Sequence, residues 1–130
     1  MASTDSVVAV KQVAVLGTGI MGSAMARNLA AAGMRTVAWD RSRSAVAALA
    51  EAGVISAASP DDAVREAQVV ITMLPTADVV RSIMLSAGVV SSLAEHAVWA
   101  QMGTIGATAT TQIAEELGRL HVVPAVARRS

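Results

Sequence analysis

The sequence predicts a single α/β domain in which helices cover both faces of a doubly wound parallel sheet. Three observations lead to this fold class. Short apolar runs rich in β-branched residues alternate with helix-forming segments along the chain. The connecting segments are only a few residues long, and a glycine-rich turn follows the first apolar run. At 130 residues, the chain is long enough for one buried core.

The first half of the chain contains three predicted strands and two predicted helices. Continuous apolar runs are typical of strands that are buried on both faces of a sheet. Helix-forming residues follow the first run, and Gly33 and Gly53 mark the two helix ends. In chain order, the predicted elements are a strand at 13–16, a helix at 20–32, a strand at 35–40, a helix from Ser42 or Ser44 to 52, and a strand at 54–58.

The second half continues the same alternation. Ser59 can cap a helix in which Pro60 takes the first position, and two aspartates follow near the positive end of the helix dipole. Pro75 ends the most strand-like run, and Thr76 or Asp78 begins the next helix. In chain order, the predicted elements are a helix after residue 59, a strand at 67–74, a helix at 77–85, a strand at 97–102, a helix at 108–117 and a strand at 120–123.

Composition excludes several kinds of function. The chain has no cysteine, so it contains no disulfide, no thiolate metal site and no cysteine nucleophile. A formal net charge of zero argues against binding to nucleic acid or to an anionic membrane through bulk electrostatics. The sequence opens without a signal-peptide pattern, and it contains no apolar run long enough for a membrane span. We therefore expect a soluble protein located in the cytoplasm.

Three glycines, Gly17, Gly19 and Gly22, lie between the first predicted strand and the first predicted helix. In a Rossmann fold, the first glycine permits a sharp turn, the second lets the backbone approach a pyrophosphate, and the third allows close packing of helix on sheet. The backbone N–H groups of Ile20, Met21 and Gly22 would point at that ligand from the positive end of the helix dipole. The alternative is a tight turn of purely structural use.

An acidic residue at the end of the second predicted strand favours dinucleotide binding. Asp40 lies 21 residues after Gly19, where a carboxylate can accept both ribose hydroxyls of an adenosine. Asp40 also favours NAD, because it would repel a 2′-phosphate, whereas Arg41 and Ser42 are typical of sites that accept NADP. We expect NAD or NADP, with a slight preference for NAD, and we expect Trp39 to lie beside the adenine pocket.

Few other residues suggest chemistry. His96 and His121 have no carboxylate at ligand spacing, so we expect no metal site. Methionines at helical or strand spacing are more simply explained as core residues than as parts of a site. This interpretation covers Met21, Met25, Met73, Met84 and Met102.

Four stretches together resemble one known family. They read VAVLGTGIMGSAMARNLAAAG, VAWDRS, VVITMLPTADVV and QMGTIG. They are similar to the N-terminal NAD(P)-binding domain of the β-hydroxyacid dehydrogenases, which include 3-hydroxyisobutyrate, tartronate semialdehyde and 6-phosphogluconate dehydrogenases, with imine reductases as relatives. The resemblance covers 13–123. It implies a cofactor-binding Rossmann domain at 11–123, a flexible leader at 1–10, and a tail or the start of an interdomain segment at 124–130.

The resemblance also implies roles for residues after the fourth and fifth strands. Leu74 and Pro75 would line the ribose and nicotinamide side of the cofactor, with Val79 nearby on the next helix. Thr104 would contact the nicotinamide half. The complete enzyme would transfer a hydride to or from a small hydroxy acid or a related substrate.

The chain departs from the family pattern in two places. The family typically reads D-x-S-T after the fifth strand, where the serine holds the substrate, but here Gly103 stands at the serine position. The family's acid–base lysine lies on a later helix, whereas the single lysine here, Lys11, precedes the first strand. We therefore expect no catalytic residue in this chain.

From the resemblance, we expect these 130 residues to lack the family's helical C-terminal domain, through which its members dimerise. We expect the 130 residues alone to bind dinucleotide without turning over a hydroxy acid. The alternative function is a non-catalytic NAD(P)-binding module or a truncated remnant.

Overall fold

The computed structural model describes residues 10–86, 88–95, 97–102, 111–113 and 115. Five parallel strands form one sheet in the order β3-β2-β1-β4-β5. The strands are β1 (Gln12–Leu16), β2 (Arg35–Trp39), β3 (Ile55–Ser56), β4 (Val69–Thr72) and β5 (Val98–Gln101). The α-helices between them are α1 (Ile20–Ala31), α2 (Arg43–Ala47), α3 (Pro60–Val64) and α4 (Ala77–Val80).

The sheet and its helices confirm the predicted doubly wound α/β class. The predicted strand at 120–123, residues 1–9 of the predicted leader at 1–10, and the predicted tail at 124–130 lie outside the described residues, as does most of the predicted helix at 108–117. Within that segment, residues 111–113 and 115 are helical, and Ile113 is buried in the core.

The core lies on both faces of the sheet, because alternate residues of β1 point in opposite directions. Ala14 and Leu16 belong to a cluster on one face that includes the large side chains of Met84 and Trp99. Val13 and Val15 belong to a cluster on the other face that also contains residues of α1 and α2. Burial of both faces explains why β1 is apolar from Val13 to Leu16.

Two of the predicted helices differ in form from the prediction. The helix predicted from Ser42 or Ser44 to 52 has Ser42 as its N-cap, but it is α-helical only at Arg43–Ala47 and continues as a 3₁₀ turn at Ala50–Ala52. The N–H of Leu49 donates to the Val46 carbonyl, and this tighter bonding accompanies full burial of the Leu49 side chain.

The helix predicted at 77–85 also changes form. After α4 it continues as a π-helical turn at Arg81–Ser86, followed by a 3₁₀ turn at Val89–Ser92. The wider turn buries Met84 completely in the cluster that contains Trp99.

Strand order places a crevice at one edge of the sheet. The chain leaves β1 for β2 on one side, and later returns to β4 on the other side of β1. Connections that diverge in this way leave a crevice outside the carboxyl ends of the two central strands, which is where ligands bind in open α/β sheets. Among the residues that the structure describes, no helix has both the length and the apolar character needed to cross a membrane.

Candidate functional site

A cavity of about 1020 Å³ lies at the carboxyl ends of the central strands. Its walls come from the glycine turn after β1 and the first turn of α1, the end of β2, the segment from the end of β4 through α4 into the π-helical turn, and the residue after β5. The lining residues are Gly17, Gly19, Met21, Trp39, Asp40, Arg41, Met73, Leu74, Pro75, Asp78, Val79, Ser82, Ile83 and Met102.

Gly17 and Gly22 allow the glycine turn to pack tightly against the sheet. Gly17 has a φ of +101°, and a Cβ there would lie 2.5 Å from the carbonyl oxygen of Met73. A Cβ on Gly22 would lie 2.0 Å from the carbonyl oxygen of Gly17. Larger residues at either position would therefore push the turn away from β4 or from α1.

Gly19 differs from its two neighbours, because a Cβ at this position would meet no protein atom within 4 Å. Its backbone is extended, with φ at −67°, so the conformation itself does not require glycine. Gly19 lines the cavity, and a side chain there would occupy space that a ligand could otherwise fill. This arrangement fits a backbone surface that a pyrophosphate approaches closely.

The amino end of α1 is free of the groups that usually cap a helix. Gly19 supplies no capping side chain, and the first turn of α1 contains no acidic residue. By contrast, Ser59 accepts from the N–H of Asp62 in α3, and Thr76 accepts from the N–H of Val79 in α4. The first N–H groups of α1 have no partner inside the helix, which makes this end suited to an anion.

Asp40 supplies a fixed negative charge where β2 ends. Its Oδ2 accepts from the N–H of Thr18 at 2.7 Å and from Thr18 Oγ1 at 3.1 Å. Its Oδ1 accepts from the N–H of Ser42 at 2.8 Å. Burial raises the pKa of the Asp40 carboxyl, but these hydrogen bonds and the charge of Arg41 together hold it below its ordinary value. Asp40 is therefore ionised at neutral pH.

The opposite wall of the cavity is largely apolar. Leu74 and Pro75 follow β4, and Val79 and Ile83 lie one helical turn apart on the next helix. Asp78 and Ser82 have the same spacing and add polar groups to this wall. The cavity thus joins an ionised carboxylate and an uncapped helix end to an apolar surface, which suits a ligand with both polar and flat apolar parts.

A buried polar network supports this wall from below. The indole N–H of Trp99 in β5 donates to Thr72 Oγ1 in β4 at 2.9 Å, and Thr72 Oγ1 donates to Gln101 Oε1. The main chain is tied at the same point, because the N–H of Met102 donates to the Thr72 carbonyl at 3.0 Å. These bonds fix the carboxyl ends of β4 and β5 relative to each other.

Eight of the residues predicted to bind cofactor line the cavity. They are Gly17, Gly19, Met21, Asp40, Arg41, Leu74, Pro75 and Val79.

Of the four other predicted residues, the structure describes three, and none of these three lines the cavity. Ile20 is 93% exposed and Gly22 packs beneath Gly17, while Ser42 contacts Asp40 through its backbone. Thr104 lies outside the described residues.

Several cavity residues were not predicted as binding residues. Met73 and Met102 were interpreted as core residues; both pack against one core cluster, and both also line the cavity. Asp78, Ser82 and Ile83 were not singled out for binding, although their spacing, together with Val79, indicates one helix face directly after Pro75. Counted from Asp78, these residues lie at i, i+1, i+4 and i+5 after the proline that ends the strand. This spacing is the sequence signal that could have predicted this wall of the cavity.

Among the residues that the structure describes, neither a metal-binding cluster nor a lysine lies at the cavity. No group of three or more metal-ligating side chains occurs within the described part of the chain. His96 and His121 lie outside that part. Lys11 directly precedes β1, at the amino end of the sheet, on the opposite side from the cavity.

Comparisons with known proteins agree with this geometry. A family model described as the NAD binding domain of 6-phosphogluconate dehydrogenase matches residues 12–123. The chain is 35% identical over 106 residues to 3-sulfolactaldehyde reductase of Escherichia coli (strain K12), covering 81% of this chain and 36% of that protein. It is 38% identical over 104 residues to the NAD-dependent L-serine dehydrogenase of Pseudomonas aeruginosa, covering 79% of this chain and 35% of that protein.

A solved structure has the same architecture. The 3-hydroxyisobutyrate dehydrogenase of Mycobacterium tuberculosis, determined with L-serine, superimposes with a TM-score of 0.82 at 30% sequence identity. The match covers 91% of this chain and 40% of that one. The chain therefore spans little more than a third of the length of these relatives. From the family match, the strand order and the glycine turn together, the chain belongs to the NAD(P)-binding domain family of 6-phosphogluconate dehydrogenase and the related β-hydroxyacid dehydrogenases.

Proposed function

We propose that the cavity binds a nicotinamide dinucleotide, with the pyrophosphate against the glycine turn and the adenosine ribose beside Asp40. The observation that carries this proposal is the continuity of one cavity from the uncapped end of α1 to the Asp40 carboxylate. N–H groups at a helix amino end favour an anion, and a carboxylate at the end of β2 accepts hydrogen bonds from ribose.

The nicotinamide half would then extend along the apolar wall. Leu74 and Pro75 would contact the ribose and the nicotinamide ring, with Val79 beside them. By the family resemblance, Thr104 would contact the nicotinamide half. When bound, the nicotinamide supplies or accepts the hydride, and the residues of this chain hold and orient it.

We propose NAD as the preferred cofactor. The ionised Asp40 carboxylate would repel a 2′-phosphate, and it occupies the position next to the ribose. Arg41 lines the same cavity and offsets part of this repulsion, so we expect NADP to bind more weakly than NAD, not to be excluded. The 38% identical relative from Pseudomonas aeruginosa is described as NAD-dependent, which supports this preference.

We propose that the complete protein is an oxidoreductase that transfers a hydride between this cofactor and a small hydroxy acid or a related carbonyl compound. The names of the relatives support the substrate class: a sulfolactaldehyde reductase, an L-serine dehydrogenase and a 3-hydroxyisobutyrate dehydrogenase. We assign the cofactor to these residues, and no catalytic residue to this chain. The acid–base group and the surface for a homodimer would come from the additional length that the relatives have.

A second candidate function is a non-catalytic NAD(P)-binding module. The position of Lys11 favours it, because the chain's only lysine precedes β1, far from the cavity. The two candidates differ in activity: mixing the chain with NAD and L-serine or 3-hydroxyisobutyrate should give no reduced cofactor, whereas a longer form of the protein should give it if the enzyme assignment is right.

The experiment that tests cofactor binding is a titration of the 130-residue chain with NADH, NADPH and ADP-ribose. Trp39 lines the cavity and Trp99 is buried in the core, so bound ligand should change the emission of Trp39. A Trp39→Phe variant serves as the control. Calorimetry should still detect binding in this variant, while the change in emission should be lost if the optical signal comes from Trp39. We expect saturable binding of all three ligands, with NADH tighter than NADPH. Absence of binding by both dinucleotides at millimolar concentration would contradict the proposal.

A further inference from the structure

Thr18, between the first two glycines of the turn, is buried although both of its neighbours line the cavity. Only 4% of its surface is exposed. A polar residue at this place needs hydrogen-bond partners, because an unpartnered buried hydroxyl costs free energy. The sequence pattern treats this position as variable, so the role of its side chain comes from the structure alone.

The polar groups of Thr18 connect three parts of the site. Its N–H and its Oγ1 both donate to Oδ2 of Asp40, at 2.7 Å and 3.1 Å. Its carbonyl accepts from Ser23 Oγ in the first turn of α1, at 2.6 Å. Thr18 thereby joins the end of β2, the glycine turn and the amino end of α1.

The hydrogen bonds to Asp40 determine what its carboxylate can still accept. A carboxylate has about four lone-pair positions, two on each oxygen. Both positions on Oδ2 are used by Thr18, and one position on Oδ1 is used by the N–H of Ser42. The remaining position lies on Oδ1, so the carboxylate in this orientation has room for one hydroxyl of an adenosine ribose.

We propose that Thr18 is a positioning residue for cofactor selection, whose hydroxyl holds the Asp40 carboxylate so that Oδ1 meets one ribose hydroxyl and the negative charge stays fixed beside the 2′ position. The proposal rests on the proposed function, since it assumes that the cavity takes a dinucleotide.

Removing only the hydroxyl shows how this selection would work. Thr18→Val keeps the side-chain shape and the backbone N–H bond, but Oδ2 of Asp40 loses one of its two donors. The carboxylate can then rotate, which weakens its bond to the ribose of NADH. For NADPH the same rotation moves negative charge away from the 2′-phosphate and leaves Arg41 to pair with it. The variant should lose affinity for NADH more than for NADPH.

The chain offers a matched control in Thr36. This residue is also a fully buried threonine whose hydroxyl donates to a protein oxygen, the Met34 carbonyl at 3.1 Å. It lies near the start of β2, away from the cavity. Thr36→Val therefore removes a comparable buried hydroxyl without changing the carboxylate of Asp40.

The test is the dissociation constant of the full chain for NADH and for NADPH, measured by calorimetry for wild type, Thr18→Val, Thr18→Ser and Thr36→Val. Loss of one hydrogen bond to a charged group predicts that Thr18→Val weakens NADH binding about tenfold. NADPH binding should change less than about threefold, so the preference for NADH narrows. Thr18→Ser keeps a hydroxyl, so its dissociation constants for NADH and NADPH should equal those of wild type. Thr36→Val should also leave both dissociation constants as in wild type.

Each of the other outcomes contradicts either the role of Thr18 or the proposed function. An unchanged ratio of the two constants in Thr18→Val, with wild-type binding intact, overturns the role of Thr18. An equal change of that ratio in Thr36→Val also overturns it, because the effect would then be a general one of lost packing. Wild type that binds neither dinucleotide overturns the proposed function itself. Circular dichroism checks folding, and if Thr18→Val does not fold, Thr18→Ala gives the same comparison with a smaller side chain.

Discussion

At Gly22 a Cβ would lie 2.0 Å from the carbonyl oxygen of Gly17, whereas at Gly19 it would meet no protein atom within 4 Å. The two glycines belong to one motif, but different constraints act on them. Gly22 is required by the packing of α1 against the turn, and Gly19 leaves open space on the cavity side. We therefore expect Gly22 to matter for folding and Gly19 to matter for ligand binding.

An alanine at position 19 should therefore weaken ligand binding and leave stability almost unchanged, whereas an alanine at position 22 should lower stability. Gly19→Ala should change the free energy of unfolding by no more than about 1 kcal/mol, the range of an N-cap effect, while weakening NADH binding at least about tenfold. Gly22→Ala should cost about 3 kcal/mol or more, because backbone must move to admit the methyl group. Urea unfolding and calorimetric titration of both variants measure this. A Gly19→Ala variant that binds NADH as wild type does would show that the pyrophosphate does not lie against this residue.

Asp40 should make stability depend on pH in acid. Its pKa in the folded chain lies below the ordinary 3.8, because the hydrogen bonds from Ser42 and Thr18, with the Arg41 charge, outweigh the opposing effect of burial. A lowered pKa means that the stabilising contribution is complete above about pH 5 and is lost as the pH falls through the folded-state value.

The measurement is urea unfolding of wild type and Asp40→Asn at several pH values. The free-energy difference between them should be largest near neutral pH and should shrink below pH 3.8. Asp61→Asn serves as the control, because Asp61 is a carboxylate in the first turn of α3 and is not a cavity residue. A difference that stays constant down to about pH 2 would contradict the assigned hydrogen bonds.

At the scale of elements, the hydrogen bonds of Thr72 join β4 to β5 beneath the cavity. Thr72 and Trp99 are both buried, and the indole N–H uses Thr72 Oγ1 as its acceptor. Because a buried donor without an acceptor is costly, the hydroxyl of Thr72 matters more than its methyl group.

Thr72→Val should accordingly destabilise the chain by about 2 kcal/mol, and Thr72→Ser should cost less than half as much. Chemical unfolding followed by circular dichroism measures both values. We also expect the emission of Trp99 to change in Thr72→Val alone, which a Trp39→Phe background makes visible. Equal stability of the valine and serine variants would show that the indole hydrogen bond contributes nothing measurable.

Elements with local signals were predicted well from the sequence. Ser59 and Thr76 both cap the helices that follow them, and Gly33 adopts a positive φ after α1. The 3₁₀ turn after α2 and the π-helical turn after α4 were not predicted. Their form accompanies the burial of Leu49 and Met84 in the core, and such contacts depend on the assembled sheet.

The candidate site was predictable to a similar degree. The glycine turn and Asp40 could be placed, because the end of a parallel strand defines where its next residue lies. Met73 and Met102 pack against the core as predicted, but their place in the cavity wall was not predicted, since an apolar side chain has the same sequence pattern whether it faces the core or a cavity. The spacing from Asp78 to Ile83 indicates one helix face, but whether that face lines a cavity or faces solvent depends on how the helix packs on the assembled sheet.

At the scale of the whole molecule, strand order and function are connected. The order β3-β2-β1-β4-β5 brings the ends of β1, β2 and β4 to one edge, so that residues distant in sequence line one cavity. Lys11 lies at the other edge. We therefore expect the dinucleotide to bind across the carboxyl ends of the central strands.

Backbone amide chemical shifts recorded during a titration with NADH test this claim most directly. We expect the largest shifts on residues 17–22, on Asp40 and Arg41, and on residues 74–79. Amides at the amino end of the sheet, near Lys11 and Gly33, should stay unchanged. Shifts concentrated at that amino end, or spread evenly over the chain without saturation, would contradict it.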